Sequence, residues 1–268
     1  MIQNNGFTLI TGATGGLGGA FASVLAAKQE NLILTGRSEE KLCSLQDKLK
    51  AENPELIIEY IACDLTNVED RKKLLSGVKA ICLRSSLGLK RLVNVAGADI
   101  QKPFIEYTEE KLVFQCRVNF ESVVSLCRGA IEIGVKEIIN ISSVSGIYPM
   151  PYFAIYSATK GALTSFSLSL REEMKGAGVR VTAILPGAIP TRDDVKEQIQ
   201  GQGLWGKIAA KEPEYVAEKS LQAVRKNKGK VVIGFANKLM NVGTKLIPLP
   251  LKLKFIAKRW SKIQKDAF

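Results

Sequence analysis

Tyr156 and Lys160 stand four residues apart in the stretch Tyr156-Ser157-Ala158-Thr159-Lys160. On a helix that spacing puts both side chains on one face. A phenol with a pKa of about 10 is a poor proton donor or acceptor near neutrality. A neighbouring ammonium favours the phenolate and lowers that pKa, so the pair can give or take a proton. Taken alone, a Tyr/Lys pair is more often a surface contact. Thirteen residues upstream, Ser143 ends an apolar run and offers a hydroxyl that can hold a carbonyl oxygen. A Ser142-Ser143 pair by itself reads more simply as a capping or loop site. The chain has no histidine. Ser-His-Asp and Cys-His nucleophile systems and His-ligated metals are therefore excluded, and no metal site is expected. Proton transfer must run through Tyr, Lys, Asp, Glu, Cys or water.

A second group of residues lies near the start, in Thr11-Gly12-Ala13-Thr14-Gly15-Gly16-Leu17-Gly18. Glycines permit a tight turn and let the backbone approach a pyrophosphate. A helix opening there presents N–H groups and the positive end of its dipole to the anion. The pattern alone is weak, but its place between a first strand and a first helix strengthens it. The end of the second apolar run selects the dinucleotide. Leu32-Ile33-Leu34-Thr35-Gly36-Arg37-Ser38 offers no acid for a ribose diol. It offers Arg37, helped by Ser38, and a guanidinium there suits a 2′-phosphate. The expectation is NADP(H). The plainer alternative is an exposed arginine opening a surface helix.

These residues need elements to hold them. Short apolar runs at 7–11, 31–35, 56–62, 92–96, 136–142, 179–185 and 230–233 read as strands. Helical patterns at about 16–28, 39–52, 68–80, 109–133, 156–175 and 214–226 alternate with them. Near-continuous apolar strands alternating with helices imply an α/β fold, a doubly wound parallel sheet covered on both faces. No linker divides this body. Residues 1–235 read as one Rossmann-type catalytic domain and 236–268 as a basic C-terminal extension. The polar stretch 190–206 follows a strand end, where such folds place substrate loops.

In order and spacing the motifs resemble those of the short-chain dehydrogenase/reductase family over about residues 7–233. They are Thr11 to Gly18, Asp64-Leu65, Val95-Ala96-Gly97, Asn119, Ser143, Tyr156 to Lys160, and Pro186-Gly187-Ala188-Ile189-Pro190-Thr191. The resemblance implies a single Rossmann-type domain with a seven-stranded parallel sheet. It implies Tyr156 as catalytic acid/base. Lys160 would tune Tyr156 and hold the nicotinamide ribose, and Ser143 would orient the carbonyl. Asn119 would hold a water on a proton relay. Gly12, Thr14, Gly16, Leu17 and Gly18 would form the pyrophosphate turn, and Asp64 with Leu65 would meet the adenine. Ala96 and Gly97 would approach the adenine ribose. Pro186, Gly187, Ile189 and Thr191 would meet the nicotinamide and phosphates. The implied reaction is NADPH-dependent reduction of a ketone or aldehyde on a hydrophobic or acyl-type substrate. Homodimers or homotetramers through helices 109–133 and 156–175 are the family expectation. Two departures stand out. Val95 replaces a second Asn that steadies the central strand, and Lys90-Arg91 replace an acid expected just before that strand.

Charge is unevenly placed. From Arg225 onward there are twelve basic residues and one acid, Asp266, so this part carries +11 of the chain's +12. Pro248 and Pro250 are expected to block a regular helix over 246–253. Beyond them Leu253, Ile256, Trp260 and Ile263 recur at helical spacing, opposite Lys254, Lys258, Lys262 and Lys265. Such a face suits a membrane surface, or packing on the chain's own domain or a second copy. Nucleic acid is disfavoured because no reading module is present. Five dispersed cysteines without a C-x-x-C pair, no apolar leader and no long apolar span suggest a cytoplasmic protein, membrane-associated at most. A catalytically silent dinucleotide sensor and a membrane-bound interaction platform are the competing classes.

Overall fold

The structure, a computed structural model, describes residues 6–191, 195 and 208–261. Most of the 190–206 stretch, and Lys262, Ile263 and Lys265 of the tail, lie outside the described residues. Seven strands, β1 (Phe7–Thr11), β2 (Asn31–Gly36), β3 (Ile58–Ala62), β4 (Leu89–Asn94), β5 (Glu137–Ile141), β6 (Arg180–Leu185) and β7 (Lys230–Val232), form one sheet. The order is β3-β2-β1-β4-β5-β6-β7 and every pairing is parallel. The chain steps outward from β1 to β3, returns to lay β4 beside β1, then steps outward the other way. The reversal between β1 and β4 opens a crevice at their carboxyl ends, the place where doubly wound sheets bind ligands.

The helices are α1 (Gly16–Ala26), α2 (Glu39–Glu52), α3 (Val68–Ser85), α4 (Glu109–Cys116), α5 (Ser122–Ile133), α6 (Ala154–Glu173) and α7 (Pro213–Arg225). One sheet face packs Leu17, Phe21 and Leu25 of α1 with Leu42 of α2 and Val216 and Leu221 of α7. The other packs Leu74 and Val78 of α3 with Val123 and Leu126 of α5 and Leu163 of α6. Each fully buried Leu or Phe contributes about 1.5–3 kcal/mol, which is why central strands read as unbroken apolar runs.

Three boundaries differ from expectation for local reasons. Leu74, Val78, Ile81 and Cys82 keep a buried stripe at helical spacing, so α3 runs on to Ser85 rather than ending near residue 80. β4 begins at Leu89, so Lys90 and Arg91 lie inside the strand instead of before it. Arg91 is buried there between two carboxylates. Its Nε donates to Glu137 at 2.6 Å and its Nη1 to Glu30 at 2.8 Å. Burial pushes the Glu30 carboxyl up, but the Arg91 and Lys90 charges outweigh it and hold it below the usual carboxylate range. The helix expected over 109–133 is interrupted by a π-helical turn at Arg117–Glu121.

The C-terminal part adds α8 (Phe235–Gly243) and α9 (Leu249–Trp260), joined by a 3₁₀ turn at Thr244–Leu246. Here the two prolines start a helix rather than block one. Pro248 is the N-cap of α9 and Pro250 lies in its first turn, where a missing N–H breaks no intrahelical bond. Ile256 is buried against Met150 and Phe153, and Trp260 packs on the same cluster. The apolar stripe through Ile256 and Trp260 therefore faces the chain's own body.

Candidate active site

A cavity of about 1200 Å³ opens over the crevice between β1 and β4. Gly12, Thr14, Gly16, Leu17, Gly18, Arg37, Asp64, Leu65, Ala96 and Gly97 line one end of it. Ser143, Tyr156, Lys160, Pro186, Gly187, Ile189 and Thr191 line its middle. Ser38 and Asn119, also selected from the sequence, do not. Ser38 caps α2, accepting from the Lys41 N–H. Asn119 is fully buried behind the cavity wall.

The glycine loop is built for close approach. A Cβ on Gly18 would sit 2.0 Å from the Gly12 carbonyl oxygen, so no other residue lets α1 start so near the turn. The first intrahelical bond runs from the Gly19 N–H to the Gly15 carbonyl at 2.7 Å. The amides of Gly16, Leu17 and Gly18 precede it and have no intrahelical acceptor, the arrangement that binds anions. Gly36 faces the Thr14 hydroxyl, so the end of β2 meets the loop, and exposed Arg37 stands beside it on the same rim. This end offers backbone N–H groups and a fixed cation, and it fits a dinucleotide with an added phosphate. Asp64 Oδ1 accepts from the Thr66 amide and hydroxyl at 2.9 and 2.8 Å, which fixes the loop after β3 against the same rim.

The loss of the second Asn at Val95 leaves the end of β4 well held. The Thr11 hydroxyl accepts from the Val95 and Ala96 amides at 3.0 and 3.1 Å. Asn94 instead donates to Asn140 of β5 at 2.8 Å.

The chemical groups are brought together by β5 and α6. Tyr156 and Lys160 lie in the first two turns of α6, with Lys160 Nζ 5.7 Å from the Tyr156 ring centroid. Lys160 Nζ also donates to the Ile141 carbonyl at 2.9 Å. Burial lowers the Lys160 pKa from 10.5 to about 8, against the pull of the Asp99 charge. Ser143 follows β5, and its hydroxyl accepts from the Ser145 amide at 3.0 Å. The 3₁₀ turn after Ser143 lies directly on α6. A Cβ on Gly146 would come within 2.6 Å of the Gly161 nitrogen. That contact is what keeps Ser143 and Tyr156 on one wall. Behind them, the π turn aims Asn119 at the loop after β4. Asn119 accepts from the Ala98 amide and donates to the Ala98 carbonyl, both at 2.8 Å, and donates to Thr159 at 3.3 Å. Gly97 sits between Asn119 Oδ1 and Lys160 Nζ. The arrangement can hold a polar oxygen near Ser143 and Tyr156 and move a proton through the phenol, with a buried cation close by.

A family model described as short chain dehydrogenase matches residues 7–200. The chain belongs to the short-chain dehydrogenase/reductase family. A bovine very-long-chain 3-oxoacyl-CoA reductase is 32% identical over 194 residues, 69% of this chain and 60% of that protein's own length. The structure of a 7beta-hydroxysteroid dehydrogenase has a TM-score of 0.81 at 22% identity and covers 94% of this chain and 96% of its own. The L-sorbose reductase of Gluconobacter frateurii, solved with NADPH and L-sorbose, has a TM-score of 0.75 at 26% identity, covering 86% and 95%.

Several positions at the cavity were not among the candidate site residues selected from the sequence. The C-terminal helices of this family member wall the far end of the cavity with Leu239, Met240, Ile247, Leu251, Phe255 and Ile256. Phe153 stacks on Tyr156 with centroids 4.3 Å apart, and Trp260 lies 6.2 Å beyond Phe153 in a near-parallel stack. Asn237 is buried in α8 and donates to Ala209 O at 3.0 Å and Ile233 O at 2.8 Å, tying the extension to the loop region after β6. The i, i+4, i+8 spacing of Lys252, Ile256 and Trp260 carried that signal, but the partners lie a hundred residues upstream.

Proposed function

We propose that this chain is an NADP(H)-dependent oxidoreductase that reduces a ketone or aldehyde on a hydrophobic or acyl-type substrate to the alcohol. The observation that carries the reading is a single cavity shared by the glycine loop, Arg37, Ser143, Tyr156 and Lys160. The cofactor, when bound, supplies the hydride. The glycine loop would hold its pyrophosphate, and Arg37 its 2′-phosphate. Ser143 holds the substrate oxygen, and Tyr156 gives it a proton. Lys160 keeps a positive charge beside the phenol below about pH 8 and favours its ionised form once the proton has left. Asn119 fixes the backbone at Ala98 and with it the wall next to Lys160. The apolar wall from the C-terminal helices supports a hydrophobic substrate. The bovine relative acts on an acyl thioester by its name, and the sorbose reductase was solved with NADPH.

Tyr156→Phe tests the assignment. The variant should bind NADPH within a few-fold of the parent and lose about 10²–10⁴-fold in turnover, the usual contribution of a placed acid. The assay is NADPH oxidation against 3-oxoacyl thioesters, long-chain aldehydes, cyclic ketones and small diketones. Unchanged turnover in the variant would remove Tyr156 from the chemistry.

A further inference from the structure

We infer that the outward face of the two C-terminal helices docks on an anionic lipid bilayer, with the cavity mouth opening toward the lipid. The observations concern a different stripe from the one that packs inward. Lys252, Ile256 and Trp260 of α9 face the body, and Lys252 lies 5.5 Å over the Tyr148 ring. Leu251, Lys254, Phe255 and Lys258 form the opposite stripe at i, i+3, i+4 and i+7, and all four are exposed. Phe255 is 67% exposed, Phe235 is 80% and Leu246 is 86%. Nine of the seventeen large apolar side chains exposed among the described residues fall within residues 235–255. Scattered exposed apolar residues need no explanation, but a concentration of this kind marks a contact surface.

Charge selects the occupant. From Phe235 to Trp260 there are six basic residues and no acid. A second copy on this face by two-fold symmetry would place cations against cations. A nucleic acid would leave the leucines and phenylalanines in water. An anionic bilayer surface takes both, the apolar side chains at the acyl boundary and the lysines among headgroups. None of the described helices is long and apolar enough to cross a membrane, so the contact is interfacial. Leu239, Met240, Ile247, Leu251 and Phe255 are exposed and also line the cavity, so the apolar surface continues from the outer face into the site. A bilayer-dissolved carbonyl compound could pass along it without crossing water. That last use rests on the reductase reading; the docking does not.

Flotation with vesicles of phosphatidylcholine and phosphatidylglycerol at 7:3, read without turnover, separates the two. The full chain should float with these vesicles, bind pure phosphatidylcholine at least tenfold more weakly, and lose binding as salt rises. Leu246→Glu/Leu249→Glu and Lys254→Glu/Lys258→Glu change residues that do not line the cavity. Each should weaken binding at least tenfold while thermal midpoint and reduction of a water-soluble carbonyl stay unchanged. No flotation of the parent at low salt would overturn the inference. So would equal flotation of the parent and both variants. A dimer that falls apart in Leu246→Glu/Leu249→Glu without any vesicle binding would assign the face to a second copy and overturn it too.

Discussion

Replacing Lys160 by Met should change how the protein's stability depends on pH, in a direction the structure fixes. The Lys160 ammonium is buried, and its pKa falls from 10.5 to about 8. A pKa lowered on folding means that the unfolded chain binds the proton more tightly. Stability from this group is thus present at high pH and lost as pH falls through the folded value. At pH 7 the difference amounts to about 3 kcal/mol against folding, and by pH 9.5 it has shrunk by about 2 kcal/mol. Met keeps the length of the stem and cannot be charged. It also leaves the Ile141 carbonyl without its donor, at a cost of about 1 kcal/mol that does not change with pH.

Buried thiols work the other way. Burial pushes Cys63 and Cys127 up to about 12, so they retain protons that the unfolded chain has lost and make both proteins less stable above about pH 9. Comparing parent and variant cancels that effect. Urea melts at pH 7 and 9.5 should therefore show the parent gaining about 2 kcal/mol on Lys160→Met over this interval. Parallel curves for the two proteins would mean that Lys160 is not held as a strained buried ammonium. The limit near pH 8 on its positive charge would then fail with it.

Other expectations follow from the same contacts. Arg37→Ala removes the cation proposed to meet the 2′-phosphate and should weaken NADPH binding about 10–100-fold while leaving NADH unchanged, measured by fluorescence titration. Equal losses for both would make Arg37 a bystander. Arg91→Met removes the buried cation between Glu30 and Glu137, leaving Glu30 to Lys90 and Glu137 to Arg180, and should cost about 2–3 kcal/mol in urea melts, with no change in NADPH affinity if the variant is folded. A loss below about 1 kcal/mol would show that water reaches those carboxylates. Trp260→Ala opens the cavity beside Phe153 and should raise KM for apolar carbonyls several-fold while NADPH binding holds. An unchanged KM would place the substrate away from α9.

The sheet was readable because its strands are buried on both faces and so are written as unbroken apolar runs. The residues that share the cavity were readable because they lie within local stretches: the glycine loop, the Tyr156/Lys160 pair and the Pro186 to Thr191 segment. What sequence alone did not show depends on contacts between distant segments. Arg91 stood out in the sequence only as a replacement for an acid before the strand, because its carboxylates come from distant Glu30 and Glu137. The π turn that aims Asn119 has no composition of its own. Pro248 and Pro250 were read as helix breakers, although proline in a first turn begins a helix as readily as it ends one. The expected membrane or packing stripe of the tail packs inward, and the stripe left outside mixes leucine, phenylalanine and lysine without clean amphipathic order.

The C-terminal helices therefore do two jobs on opposite faces, and the geometry couples them. Their inner face reaches Tyr156 through only one intervening ring. Trp260 stacks over Phe153, and Phe153 stacks over Tyr156. Ile256 shares the same cluster with Met150, in the loop that follows Ser143. Any shift of α9 must move Phe153 or open a gap beneath it, because packed aromatic layers do not stretch. The outer face of the same helix, through Leu251 and Phe255, is the part a bilayer would hold. A surface that fixes α9 also fixes the wall against which Tyr156 is set. Activity on an apolar carbonyl should then rise when vesicles are added, and the rise should vanish in Leu246→Glu/Leu249→Glu while the vesicle-free rate stays the same. A rise of equal size in that variant would mean that the vesicles act by dissolving substrate, not by holding the helix.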